Sequence, residues 1–65
     1  MLESEVNALL GPAENVPHSD SVPWLTEYHA TVERNLRRNL EVSQFAKLVA
    51  LRVRIEMRLE ELGDA

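Results

Sequence analysis

The chain has 65 residues, no cysteine, two histidines and a formal net charge of −4, with a pI of about 5.0. That composition excludes disulfides and thiolate metal sites, leaves too few histidines for a metal-stapled core, and counts against nucleic-acid binding through bulk positive charge. A chain this short buries only about 60% of the surface it exposes when unfolded, so it needs other subunits or a partner to gain stability.

Met1 to Leu10 reads as a short helix, with Leu2, Val6, Leu9 and Leu10 near one face and acids in the first turn, where the helix dipole favours them. Gly11-Pro12 stops it. Residues 11–21 collect glycine, proline and the polar run Pro17-His18-Ser19-Asp20-Ser21, the pattern of a linker. Asp20 or Ser21 can cap a second helix, with Pro23 tolerated in its first turn because its missing N–H would have no partner there.

Between Trp24 and Leu62 there is no glycine or proline, and Gly63 stands where a C-terminal cap belongs. Such a run is either one long coiled-coil-like helix or two helices joined by a turn that uses neither breaker. Asn39 is the best hinge: it follows the cations Arg37 and Arg38, tolerates the left-handed conformation, and precedes Glu41 and Ser43, which suit a helix start. The expected fold is therefore all-α, with a short helix over 1–10, a linker over 11–21, and helices over 22–38 and 40–62 forming a hairpin. The alternative is a single rod over 22–62.

Leu25, Tyr28, Val32, Leu36 and Leu40 form one apolar stripe, opposite Arg34, Arg37 and Arg38. After Val42 the pattern splits in two. Ala46, Val49, Val53 and Met57 make one stripe; Leu48, Leu51, Ile55, Leu59 and Leu62 make another. Two stripes need two neighbours, and the second of them, with Leu48, Leu51, Ile55, Leu59 and Leu62, is the expected protein interface. Leu51 to Glu60 also alternates apolar and charged residues, a strand period, so an intersubunit strand competes there. Its helix-forming residue types, and the lack of a second strand to pair with, favour helix.

Charge is sorted along the chain. Residues 1–33 hold six acids and no Lys or Arg, whereas all seven bases lie between Arg34 and Arg58, in a second part of the chain, residues 34–65, that holds five acids. The two halves attract each other, or attract copies of each other.

Few residues carry chemistry. His29 and Glu33, one turn apart, could share a metal with ligands from another subunit, but a helical i,i+4 pair is more commonly a simple contact. His18 reads as a solvated linker residue. Ser19, Ser21 and Ser43 lie in no recognisable nucleophile motif, and so short a chain has little material for a closed pocket, so no catalytic residue, cofactor or metal is assigned. Trp24 is either a binding anchor or, more simply, a lock between linker and core.

The expected function is protein–protein interaction without catalysis, as an adaptor, assembly factor or regulatory subunit. Its expected partners are copies of itself and a larger protein, with the acidic N-terminal segment as a docking arm should the oligomer hide the stripe. The second reading is a nucleic-acid-binding regulator that uses Arg34, Arg37 and Arg38. No apolar run is long enough to cross a bilayer, and Met-Leu-Glu-Ser-Glu lacks the basic leader and apolar run of a secretory signal; the cytoplasm is the expected compartment.

Overall fold

A computed structural model describes residues 2–63, with side chains from Glu5 onward. Its elements are α1 (Leu2–Leu10), a 3-10 helix (Gly11–His18), α2 (Val22–Leu36) and α3 (Val42–Gly63), with no strand among the described residues. Leu51 to Glu60 is helical despite its alternation, as its Leu, Arg, Glu and Met content favours.

The segment read as a linker is more ordered than its punctuation implies. Pro12 occupies the first turn of the 3-10 helix, where its fixed φ is already suitable, and Val16 turns inward and is 1% exposed. Ser21 caps α2: its Oγ accepts a hydrogen bond from the Trp24 N–H at 3.2 Å, with Pro23 in the first turn.

The uninterrupted run breaks between Leu36 and Val42, so no single rod forms. Both helices stop short of the expected bounds at the break, α2 at Leu36 and α3 at Val42. The turn is closed by hydrogen bonds from the N–H of Arg37 to the Arg34 carbonyl (3.3 Å) and from that of Arg38 to the Asn35 carbonyl (3.1 Å). No described residue has positive φ, so neither Asn39 nor Gly63 supplies a left-handed cap. At the start of α3 the Glu41 N–H donates to Gln44 Oε1 at 3.4 Å, the returning half of a capping box.

Leu25, Tyr28 and Val32 on α2 and Leu48, Leu51 and Ile55 on α3 share the spacing i, i+3, i+7, and together with Val6 and Val16 they form the core. Trp24, Leu9, Leu10, Leu59 and Leu62 pack around it, and the Trp24 and Tyr28 rings meet at 5.1 Å. Trp24 thus serves as a lock rather than a free anchor. The stripe expected to be the interface lies inside: Leu48, Leu51 and Ile55 are at most 2% exposed. The reason is size. Of the two α3 stripes it offers more large aliphatic side chains, so turning it inward buries more apolar surface.

Ion pairs join the two halves of the chain within one molecule. Arg38 bonds Glu5, Arg52 lies 3.8 Å from Glu33, and Arg58 lies 3.0 Å from Asp20. Arg58 also donates from Nε to the Ser19 carbonyl at 2.9 Å and pairs with Glu61 at 3.0 Å, latching the start of α2 to α3.

Ile55→Ala should cost about 2–5 kcal/mol, a large share of the stability of so small a chain, and should remove the cooperative thermal transition seen by circular dichroism. Tyr28 donates its hydroxyl to the Leu9 carbonyl, and burial pushes its phenol above its ordinary pKa. The folded chain therefore holds that proton more tightly than the unfolded chain. Its contribution is intact below the unfolded pKa near ~10 and is lost as pH rises from there towards the folded value. Urea melts across that range should show this alkaline loss, and Tyr28→Phe should abolish it while costing about 1 kcal/mol at neutral pH.

Candidate functional site

With its larger stripe inside, α3 turns the smaller one to solvent. Val42 is 86% exposed, Met57 59%, Phe45 46% and Val53 44%; Ala46 is exposed between them and Val49 is half-buried. Apart from the adjacent Phe45 and Ala46, these residues follow one another by three or four positions, so they lie on one helical face. Met57 stands between two shallow grooves, one lined by Val53, Glu56, Leu59, Glu60 and Gly63, the other by Val16, Pro17, Arg54, Arg58 and Glu61. Lys47, Arg54, Glu60 and Glu61 are exposed near this face. An apolar strip with charged flanks is suited to docking a protein surface rather than enclosing a small molecule.

A polar cluster bridges α2 and α3. His29 Nε2 lies 2.9 Å from Glu56 Oε2, within hydrogen-bonding distance. His29 Nδ1 is 3.9 Å from Glu33 Oε1. His29, Glu33 and Glu56 each offer one ligand atom, all within 4.8 Å of one another. The third candidate ligand, Glu56, thus comes from the same chain, not from another subunit. Arg52 nevertheless sits among them, 3.8 Å from Glu33 and 3.9 Å from Glu56. Its guanidinium supplies the positive charge that a divalent cation would bring and would repel such an ion, so the arrangement works as an ion-pair network between two helices. Sequence spacing alone pointed to His29 with Glu33. The signal for the other members is that a step of four along α2, from 29 to 33, is matched by a step of four back along α3, from 56 to 52.

Arg34 and Arg37 are exposed at the C-terminal end of α2, where cations suit the helix dipole. Arg34 lies within hydrogen-bonding distance of Thr31, and Arg38 is engaged by Glu5 and Asn35. His18 is exposed. Ser21 is used as a cap, and the hydroxyl of Ser19 accepts from the Ser21 N–H at 3.2 Å. No helix among the described residues is long and apolar enough to cross a membrane.

Glu56→Gln should remove the charge that both His29 and Arg52 face. Because the pairs are partly solvated, the loss should stay under about 1 kcal/mol and shrink further with added salt, as checked by urea melts at low and high ionic strength. Compared with protein-family models, curated proteins and solved structures, the chain matches none.

Proposed function

We propose that this chain is a small non-enzymatic protein acting by protein–protein interaction, as an adaptor, assembly factor or regulatory subunit, with the outward face of α3 as its contact surface. In this reading α2 and α3 form a hairpin whose inner side holds the fold and whose outer side binds, and the protein works in the cytoplasm. The supporting observation is the row Val42, Phe45, Val53 and Met57, exposed along one helix whose opposite face is occupied by the core. It replaces Leu48, Leu51, Ile55, Leu59 and Leu62 as the contact set, because substitutions among those residues would test folding instead.

A second reading, nucleic-acid binding through Arg34, Arg37 and Arg38, draws on the exposure of all three at the end of α2. Glu5 beside Arg38 and the net charge of −4 weigh against it. Its test is binding to a random-sequence duplex at low salt, where the expected result is none; affinity that falls steeply with salt would favour it instead.

The leading reading is tested with a photo-cross-linking residue at the exposed Ala50, in cells that express the protein. Discrete cross-linked adducts are expected. Val53→Glu with Met57→Glu should abolish them while leaving helicity and melting unchanged, because both side chains already stand in water. Adducts that survive this change, or that never form, count against the outward face of α3.

A further inference from the structure

The occupant of this face can be read from its charges. Along α3, residues 42–54 carry Lys47, Arg52 and Arg54 and no acid, whereas residues 55–63 carry Glu56, Glu60 and Glu61 against Arg58. One helix thus holds a basic stretch followed by an acidic one, with the exposed stripe running through both. A surface that is positive at one end and negative at the other complements itself when a second copy lies across it in the opposite direction. A parallel pair in register would instead set Lys47 beside Lys47 and Glu60 beside Glu60.

We infer that α3 pairs antiparallel with α3 of a second copy of this chain, about a two-fold axis at Val53. This rests on the outward face of α3 being the contact surface, and it names the partner. With the axis there, Val49 of one copy meets Met57 of the other, since each lies four residues from Val53 on the same helical face. Lys47 comes level with Leu59 of the other copy, beside the exposed Glu60 and Glu61. The 22 residues of α3 extend for roughly 33 Å at about 1.5 Å each, so one face presents on the order of 500 Å². That is below the ~800 Å² per partner of a standard interface, and the dimer is a weak one, with dissociation in the micromolar range or above.

The test uses the full chain, whose lack of cysteine makes single-cysteine variants informative. Sedimentation equilibrium should show the mass rising with concentration from 7.4 kDa towards twice that value. Under mild oxidation Val53→Cys should link to its own copy much faster than Ser43→Cys. Ser43 is ten residues from the axis, which separates the two copies of that position by roughly 30 Å, far beyond the ~7 Å that a disulfide spans. Lys47→Glu alone and Glu60→Lys alone should each weaken association by roughly tenfold, since the two-fold axis repeats each contact. Mixing the two variants should restore it, because both charge pairs then become complementary.

A monomer at all concentrations, equal rates for the two cysteine variants, or a mixture no tighter than its components would overturn the self-pairing. If self-pairing fails while Ala50 still cross-links to a different protein in cells, and Val53→Glu with Met57→Glu removes that adduct, the interaction reading stands without it. If neither is seen, both fall.

Discussion

Every other element of the chain rests on one face of α3. Leu48, Leu51 and Ile55 form the floor on which α1, the 3-10 helix and α2 are laid, and each of those elements packs against α3. The orientation of α3 about its own axis therefore decides the whole arrangement. Turning the stripe of Val49, Val53 and Met57 inward would exchange five large aliphatic positions for three, with Ala46 adding little. The difference is about two large side chains, on the order of 4 kcal/mol at the usual value for full burial. That is comparable with the entire stability of a small domain, so the choice between the two faces is not close.

Charge then fixes how the N-terminal half lies on that floor. Individually, Arg38 with Glu5, Arg52 with Glu33 and Arg58 with Asp20 are surface pairs of small energetic value. Collectively they occur at three places along the molecule, each joining an acid from the basic-free first half to a base from the second, and so favour one way of folding back over its alternatives. Arg58 is the most sheltered of the three arginines and the only one of them that also holds a backbone carbonyl, that of Ser19. It ties down the chain where the 3-10 helix ends and α2 begins, a junction with few apolar contacts of its own. The sorted charge is thus answered within the molecule, and the positions left exposed around the outward stripe, Lys47, Arg54 and Glu60, are the ones available to a second molecule.

Much of this was legible in the sequence because it is local. The Ser21 cap, Pro23 in the first turn of α2, a break near Asn39 and the two stripes of α3 all follow from residue types and helical spacing. What was not legible is relational. Periodicity shows that α3 has two apolar faces but not which one meets α2, because that depends on what the other elements can cover. Gly11 and the two prolines announced a linker, whereas Val16 needed a place in the core and drew the segment into a 3-10 helix. Asn39 looked like a left-handed hinge, but a gap of five residues between Leu36 and Val42 gives room to turn without one. Glu56 and Arg52 could be assigned to His29 and Glu33 only from the side-chain distances between α2 and α3.

The same feature that makes the chain foldable also leaves it with a surface to spare. The molecule measures 37 × 17 × 16 Å, and its long axis matches the length of α3. A helix long enough to serve as floor for three short elements presents an equally long outer face, and among the described residues none of those elements covers Val42, Phe45, Val53 or Met57. Shortening α3 would reduce that face but also remove core contacts at Leu48 or Leu59. Exposed Val42, Phe45, Val53 and Met57 are therefore a consequence of the architecture as much as the device for binding proposed above. The two roles reinforce each other thermodynamically: a partner that covers this face binds only the folded chain, and adds stability in proportion to the logarithm of its concentration over its dissociation constant. For a chain whose own core is this small, occupancy of the outer face of α3 and persistence of the fold are coupled quantities.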